Sequence, residues 1–284
     1  MRVLITGGRG QLGAELAALL AATHDVHAPA RAALDVTDHG SVGSAVAAFR
    51  PEIVLHAAAW TDVDGAEADS AGAHRVNEHG SRVVARAARA IGAGLVAYST
   101  DYVFPGDARD GYVESDPTGP RSIYGASKLA GELAVRDEHA GAQIVRTAWV
   151  FSPRGRNFLL TMLRAGAEQD ELRVVDDQVG CPTATSHLAA ATMQLVERCS
   201  AGTYHLAGGG SVSWNGFARV IMEEAGLPAR VTAMSTAELA RPAPRPACSI
   251  LLSEHPEAPR LPPWRAGLRE TLAELRLEAR SPLP

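Results

Sequence analysis

The chain has 284 residues, of which 46% are hydrophobic and 21% charged, a composition typical of a folded protein rather than a disordered one. Its formal net charge of −5 and isoelectric point near 6.1 lack the basic balance of nucleic-acid-binding proteins, so no nucleic-acid partner is expected. No apolar run approaches the roughly 18 residues that a membrane span needs, so no membrane partner is expected either.

The cysteines and the amino terminus indicate a cytoplasmic protein. Cys181, Cys199 and Cys248 are few and scattered, which is typical of reduced thiols and not of a disulfide framework. Arg2 leads directly into a short apolar run and a glycine turn, which is not the pattern of a signal peptide. The histidines show no zinc-ligand spacing with cysteine, so these patterns assign no metal.

The first predicted elements are a strand and a helix joined by glycines. The apolar run Val3–Thr6 indicates a buried parallel strand, and an alanine- and leucine-rich helix is predicted from residue 14. Between them, Gly7 allows a tight turn, Gly10 lets a pyrophosphate approach the backbone, and Gly13 lets the helix pack closely. The helix N-terminus adds free N–H groups that attract phosphate. This context predicts a dinucleotide site, with a purely structural turn as the alternative.

The second strand is predicted within residues 25–31 and ends without the acidic residue that usually contacts the ribose of NAD. Arg31 stands there instead, and its cation suits a 2′-phosphate, so NADPH is the predicted coenzyme and NADH the alternative. A solvated surface arginine is the other interpretation of Arg31. Asp35 follows, placed either to contact adenine or to cap a helix that starts near Ser41.

The third predicted strand, 51–56, is followed by three small residues, Ala57, Ala58 and Ala59. Small side chains allow the backbone to lie against a ribose, or simply allow a tightly packed junction. Short apolar strands continue to alternate with helical segments. This alternation predicts an α/β fold with a doubly wound parallel sheet, a Rossmann fold, whose ligands bind at the carboxyl ends of the strands.

Candidate catalytic residues follow the fourth predicted strand. That strand delivers Thr100, and Tyr124 and Lys128 lie four residues apart, on one face of a predicted helix. An ammonium beside a phenol favours the phenolate, so the pKa of Tyr124 is expected to fall below about 10. Tyr124 is then a candidate proton donor, and Thr100 a hydrogen-bond donor to the same substrate oxygen. The same pair also occurs at this spacing without a catalytic role.

The composition changes after Phe151, with polar loops and many prolines between residues 241 and 263. The sequence therefore predicts two domains. Residues 1–150 form an NAD(P)-binding Rossmann domain, to which a segment near 184–199 returns. Residues 151–284 form mainly a smaller α/β substrate-binding domain.

The glycine pattern, Thr100 and the Tyr124-x-x-x-Lys128 motif together resemble the extended short-chain dehydrogenase/reductase superfamily. Within it, six ordered segments are similar to the dTDP-4-dehydrorhamnose reductase family, and they cover nearly the whole chain. The segments are 7–13, 57–64, 99–104, 146–151, 177–183 and 202–206.

This resemblance implies roles for individual residues. Those implied to bind the coenzyme are Gly10, Gln11 and Leu12 at the pyrophosphate, Asp35 and Val36 at the adenine, and Ala57, Ala58, Ala59 and Lys128 at the ribose. Those implied to bind a dTDP-sugar are Thr100, Asp101 and Trp149, with Asn157 and Arg245 at the nucleotide phosphates. Tyr124 is implied to protonate the sugar oxygen and Lys128 to polarise Tyr124.

Three positions depart from the family pattern: His56 where Asn is common, Trp60 where Tyr or His is common, and Cys181 where a smaller residue is usual. Some relatives form a magnesium-linked dimer through acidic residues. Glu15 and Glu223 are the candidate positions here, although exposed helix glutamates are usually only solvated. The expected state is a monomer or homodimer, and Mg²⁺ stays an alternative.

The implied activity is reduction of the 4-keto group of dTDP-4-dehydro-β-L-rhamnose to dTDP-L-rhamnose. A dehydratase needs a second carboxylate after the catalytic threonine, where this chain has Asp101-Tyr102, and an epimerase usually has more serine there. Two alternatives stay open. One is a reductase of another dTDP-4-keto-6-deoxysugar, and the other is a regulatory subunit that binds NADP without turnover.

Overall fold

A computed structural model describes residues 1–280 of the chain. Its largest sheet consists of β1 (Arg2–Thr6), β2 (Asp25–His27), β3 (Ile53–His56), β4 (Gly94–Thr100), β5 (Gln143–Thr147) and β10 (Gly202–His205). These strands are all parallel, in the order β10-β5-β4-β3-β1-β2. After β1 the chain adds β2 on one side and β3 on the other, so the strand order reverses beside β1. Ligands of open α/β sheets bind at such a reversal.

Helices cover both faces of this sheet, which explains why most residues of its short central strands are buried. On one face lie α1 (Gln11–Leu20) and α8 (Thr185–Arg198), and on the other α2 (His39–Phe49), α5 (Gly80–Ala90) and α6 (Ile123–Glu138). Between β3 and α5 run α3 (Val63–Ala68), α4 (Ser70–His74) and a π-helical turn, Arg75–His79. The predicted α/β class with a doubly wound parallel sheet is confirmed. Within residues 1–280, none of the helices combines the length and apolarity that a membrane crossing requires.

The rest of the chain builds a smaller α/β unit around its own core. Its helices are α7 (Phe158–Glu168), α9 (Trp214–Ala225), α10 (Thr236–Leu239) and α11 (Trp264–Arg280). Its short strands are β6 (Val150–Phe151), β7 (Glu171–Val175), β8 (Val179–Gly180), β9 (Thr183–Ala184), β11 (Val212–Ser213), β12 (Arg230–Met234) and β13 (Cys248–Ser249). Phe217, Leu159 and Leu268 are fully buried at its centre.

Two elements of the second half pack on the large sheet. Strand β10 pairs with β5, and α8 lies against α1, with Leu188 and Leu195 in the same buried cluster as Leu16 and Leu20. The chain therefore crosses between the two units more than once. The division into domains at residue 150 stays a prediction.

Candidate active site

A cleft of about 750 Å³ opens at the carboxyl ends of the central strands. It brings together all the predicted site residues except Asn157 and Arg245. Those that line it are Gly7, Gly10, Gln11, Leu12, Arg31, Asp35, Val36, Ala57, Ala58, Ala59, Thr100, Asp101, Tyr124, Lys128 and Trp149. The glycine loop and the Tyr/Lys pair, more than a hundred residues apart in sequence, share one cavity.

The glycine loop has the geometry that its spacing predicts. Gly7 adopts a φ of +70°, which favours glycine, and its carbonyl accepts a hydrogen bond from the Gly10 N–H at 2.8 Å. A Cβ on Gly13 would lie 2.2 Å from the Gly7 oxygen, so only glycine lets α1 begin so close to the loop. Gly10 precedes α1 without a side-chain cap, which leaves the N–H groups of the first turn facing the cleft.

Asp35 and Arg31 line the same cleft beyond β2. Asp35 accepts hydrogen bonds from the Thr37 N–H at 2.9 Å and the Thr37 hydroxyl at 2.8 Å, and these bonds lower its pKa. The alternative that Asp35 caps a helix near Ser41 is wrong. That helix, α2, begins at His39 and is capped by Asp38, whose carboxylate accepts from the Gly40 N–H at 2.8 Å.

His56 joins the ends of two strands and α5 through buried hydrogen bonds. Its Nδ1 lies 2.7 Å from the Thr6 hydroxyl, and its Nε2 lies 3.1 Å from the Ser81 hydroxyl. Because the Ser81 hydroxyl donates to the Asn77 carbonyl, the Nε2–H donates to Ser81, and Nδ1 accepts from Thr6. Burial and the nearby Lys128 lower the pKa of His56 to about 3, so this imidazole stays neutral. The histidine that departs from the family pattern is thus a structural link beneath the Ala57–Ala59 segment.

Thr100, Asp101 and Tyr124 form a short chain of polar groups. Thr100 ends β4, and its hydroxyl donates to Asp101 Oδ1 at 3.0 Å and lies close enough to the Tyr124 hydroxyl to influence its pKa. The Tyr102 and Tyr124 rings meet edge to face, 5.5 Å apart. Ser122 caps α6 by accepting from the Gly125 N–H at 3.1 Å, which starts this helix just before Tyr124.

The predicted lowering of the Tyr124 pKa is wrong. Burial raises the pKa of Tyr124 to about 12; the Thr100 hydrogen bond lowers it, and the charge of Asp101 raises it further. The Lys128 ammonium donates instead to the Tyr98 carbonyl at 2.7 Å, and burial lowers the pKa of Lys128 to about 8. Burial therefore decides the direction of the pKa shift, and Tyr124 is a protonated phenol at neutral pH.

Lys128 is the only lysine in the sequence. All the other Lys or Arg positions are arginine. Lysine and arginine serve equally well on most exposed surfaces, but a buried, compact ammonium is not interchangeable with a guanidinium. The single lysine is buried in the cleft, one helical turn from Tyr124. This choice of residue indicates a specific chemical requirement at position 128.

An aromatic wall closes the other end of the cleft. Trp149 and Trp214 stack 3.4 Å apart with their planes 5° from parallel, and Phe158 lies 4.5 Å from the Trp214 ring centre. Trp149 adopts a φ of +47°, rare for a bulky residue. A Cβ on Gly180 would lie 2.4 Å from its indole, so that glycine makes room for it. The wall presents flat apolar faces to a ligand.

Asn157 and Arg245 are not among the residues that line the cleft. Asn157 caps α7 by accepting from the Leu160 N–H at 3.0 Å, and its amide donates to Gln11 Oε1 at 2.9 Å. Arg245 pairs with Asp64 at 3.0 Å. Its buried Nη1 has no hydrogen-bond partner in the part of the chain that the structure describes. Their binding of nucleotide phosphates stays a prediction.

The family model of the RmlD substrate binding domain matches residues 1–277. The chain belongs to this family. The resemblance predicted from the six motifs is thereby confirmed.

Named relatives of this RmlD-family chain are similar over its whole length. A dTDP-4-dehydrorhamnose reductase of Streptomyces griseus is 44% identical, covering 100% of this chain and 97% of its own. A probable dTDP-4,6-dihydroxy-2-methyloxan-3-one 4-ketoreductase of Streptomyces antibioticus is 41% identical, covering 97% of this chain and 96% of its own. A solved dTDP-4-dehydrorhamnose reductase of Bacillus anthracis in complex with NADP superposes with a TM-score of 0.93 at 40% identity, covering 96% and 99%. The chain is an oxidoreductase, as predicted.

Three features of the RmlD-family site were absent from the sequence predictions. Trp214 and Phe158 line the cleft, and so does Arg156. The sequence could have indicated Arg156 as a site residue, because it stands in the glycine-containing loop before Asn157. The indication for Trp214 is weaker, because a tryptophan that begins a helix also suits ordinary core packing.

Glu15 and Glu223 do not belong to a three-residue cluster with metal-ligand distances within the described residues. Glu15 accepts a hydrogen bond from the Thr185 hydroxyl at 3.3 Å, and Glu223 is exposed on α9. Among residues 1–277, the one cluster with metal-ligand distances is Glu114, Glu254 and His255, whose carboxylates already accept from backbone amides. The magnesium-linked dimer through Glu15 and Glu223 stays a prediction.

Proposed function

We propose that the chain is an NADPH-dependent reductase that converts dTDP-4-dehydro-β-L-rhamnose to dTDP-L-rhamnose. The observation that carries this proposal is the single cleft in which the glycine loop, Thr100, Tyr124 and Lys128 meet. The 44% identity to a named dTDP-4-dehydrorhamnose reductase over the whole chain supports the substrate.

Residues of the chain supply the binding and the proton. NADPH, held by the glycine loop and Ala57–Ala59, would supply the hydride for the sugar C4 carbon from its nicotinamide ring. The Tyr124 phenol gives its proton to the C4 oxygen as negative charge grows there, and the Thr100 hydroxyl turns from Asp101 Oδ1 to donate a second hydrogen bond to that oxygen. The Lys128 ammonium balances the phenolate that Tyr124 leaves. The Trp149–Trp214 wall holds the sugar nucleotide against these groups.

NADPH is the proposed coenzyme because cations line the cleft at the end of the glycine loop. Arg9, Arg31 and Arg156 all reach this surface, and the hydrogen bonds from Thr37 already occupy Asp35, a residue type that usually selects NADH. An Arg31→Ala variant should lose NADPH preference. The KM values for NADPH and NADH measure this preference. An unchanged ratio of the two KM values would show that Arg31 does not bind the 2′-phosphate.

A coupled assay tests the activity. The substrate is generated from dTDP-glucose by a 4,6-dehydratase and a 3,5-epimerase, NADPH consumption is followed by absorbance, and the sugar product is identified by mass spectrometry and NMR. dTDP-L-rhamnose is the expected product. NADPH binding without consumption of any 4-keto-sugar overturns the proposal and identifies a regulatory subunit instead.

A second candidate is a reductase of another dTDP-4-keto-6-deoxysugar. The Streptomyces antibioticus relative, named as a 4-ketoreductase of a different dTDP-sugar, is 41% identical, close to the 44% of the first relative. Sequence identities this similar do not show which of the two dTDP-sugars is the substrate. Measuring kcat/KM for both 4-keto-sugars decides this, and the sugar with the larger value is the substrate.

A further inference from the structure

A buried ion pair lies one helical turn beyond Lys128. Glu132 accepts two hydrogen bonds from Arg146, from Nε at 2.9 Å and from Nη2 at 2.8 Å, a bidentate geometry. Both side chains are at least 96% shielded from solvent. The Ser99 hydroxyl donates to the same Glu132 oxygen that accepts from Nε. Two charges are thus fully removed from water and paired.

This pair connects α6 to the two strands that carry the catalytic end of the cleft. Ser99 and Arg146 are register partners on β4 and β5, directly before the partners Thr100 and Thr147. Glu132 therefore ties α6 to both strands at the step that precedes Thr100.

Three successive turns of α6 contact the last three residues of β4. Tyr124 lies beside Thr100, whose hydroxyl lowers the Tyr124 pKa, Lys128 donates to the Tyr98 carbonyl, and Glu132 accepts from Ser99. The three side chains lie at i, i+4 and i+8, on one face of the helix. A shift of α6 along the sheet would break all three contacts together.

A buried ion pair contributes little net free energy to holding a helix in place. Removing two charges from water costs about as much as their attraction returns, and a well-packed apolar pair is often no less stable. Stability alone is therefore a weak reason for Glu132. Its charge has a second consequence, because Lys128 is buried one turn away and Glu132 raises the Lys128 pKa against the effect of burial.

We propose that Glu132, held by Arg146 and Ser99, is a positioning residue for the reaction: it sets Tyr124 and Lys128 over Thr100 and supplies the negative charge that compensates the buried Lys128 ammonium. Because the role concerns the reaction, this inference rests on the proposed function. In this arrangement Arg146 orients the Glu132 carboxylate through its two hydrogen bonds.

Other charged groups around Lys128 do not replace Glu132. His56 on β3 is neutral, with a pKa of about 3, and burial raises the pKa of Tyr98 on β4 well above its usual range. Tyr124, on α6, has a pKa of about 12, and Asp101, after β4, has a pKa raised to about 6 by burial. Among these groups, Glu132 is the one that raises the Lys128 pKa.

Because the chain has one lysine, its titration can be measured directly. Protein labelled with ¹³C at lysine Cε gives a single side-chain NMR signal, whose pH dependence reports Lys128 without any activity. In Glu132→Gln the titration midpoint should move to lower pH by about one unit, the size expected for loss of a nearby opposite charge. The alkaline limb of the kcat/KM profile should move by the same amount.

Glu138→Gln is the matched control, since Glu138 ends the same helix and pairs with Arg82 and Arg86 at the surface. Its lysine signal should titrate as in the wild type. If Glu132→Gln does not fold because Arg146 is left unpaired, Glu132→Gln/Arg146→Met removes both charges, and its lysine midpoint should still be lowered.

A lysine midpoint equal to that of the wild type in the folded variants overturns the inference. So does a lowered midpoint with unchanged kcat, KM and pH profile, because the positioning role would then be absent. Failure of the proposed function is a separate outcome, since it shows as an inactive wild-type protein, whereas the NMR titration is read without turnover.

Discussion

Single residues decide the chemistry of the cleft through burial more than through charge. Tyr124 and Lys128 lie on one helical face, as their spacing predicts, yet each pKa moves against its charged form: up to about 12 for the phenol and down to about 8 for the ammonium. The phenol therefore holds its proton until a stronger base, the forming alkoxide of a substrate, lies beside it.

Removing the Tyr124 hydroxyl should separate catalysis from coenzyme binding. Tyr124→Phe should lower kcat by about 10²–10⁴-fold, the usual contribution of general acid catalysis, because no other group replaces its proton. Quenching of NADPH fluorescence should give an unchanged Kd. Near-normal turnover would exclude Tyr124 as the proton donor.

His56 should make the stability of the protein depend on pH. Its pKa is about 3 in the folded chain and near 6.5 when unfolded, so the unfolded state binds more protons as the pH falls. The stability contributed by neutral His56 is present above pH 6.5 and is lost progressively as the pH falls toward 3. Between pH 7 and pH 5 this amounts to roughly 2 kcal/mol.

The comparison variant for this effect is His56→Asn, which cannot titrate and introduces the residue common in the family. Urea unfolding at several pH values measures the slope. Other buried histidines, such as His205, contribute equally to both proteins. Parallel slopes for the two proteins would show that His56 binds protons equally in the folded and unfolded states, so that its pKa is not lowered by folding.

At the scale of elements, glycines set how closely α6 approaches the site. A Cβ on Gly131 would lie 2.3 Å from the Asn77 carbonyl in the π-helical turn, and one on Gly125 would lie 2.2 Å from the Tyr102 carbonyl. Backbone atoms cannot yield as flexible side chains do. The helix that carries Tyr124 and Lys128 is therefore held at two close backbone contacts.

Alanine substitutions in two helices should have opposite effects. Gly131→Ala should lower the free energy of unfolding by about 1–3 kcal/mol, the usual cost of overpacking, and should also lower kcat because α6 moves. Gly43→Ala in α2 has no atom within 4 Å of its Cβ and should raise stability by about 1 kcal/mol. Chemical denaturation measures both, and a stabilised Gly131→Ala would contradict the close contact.

At the scale of the whole molecule, the smaller unit contacts the glycine loop directly. Ser152 and Asn157 both donate to Gln11 Oε1, at 3.0 and 2.9 Å, and Gln11 Nε2 donates to the Arg156 carbonyl at 3.2 Å. The loop 152–157 thus lies against the predicted pyrophosphate site. Coenzyme binding and the position of the smaller unit should depend on each other.

Asn157→Ser tests this contact. Serine keeps the cap of α7 but is too short to reach Gln11, so Tm should stay close to that of the wild type. We expect the KM for NADPH to rise severalfold and the KM for the dTDP-sugar to change little. The reverse pattern would support the predicted role of Asn157 at the substrate phosphates.

The sequence alone determined the features that depend on local spacing. The glycine loop, the alternating strands and helices and the Tyr/Lys face depend on residues close in the chain, where backbone geometry leaves few choices. Six short motifs were also enough to indicate the family.

Tertiary structure decided whatever depends on which distant groups meet and how much water reaches them. It placed Asn157 on Gln11 instead of in the cleft, joined Trp214 to Trp149, and reversed the expected direction of the Tyr124 pKa. Spacing along a helix shows that two side chains are neighbours, but desolvation depends on every element packed around them. That is why the pattern identified the reacting groups and only the fold determined their protonation.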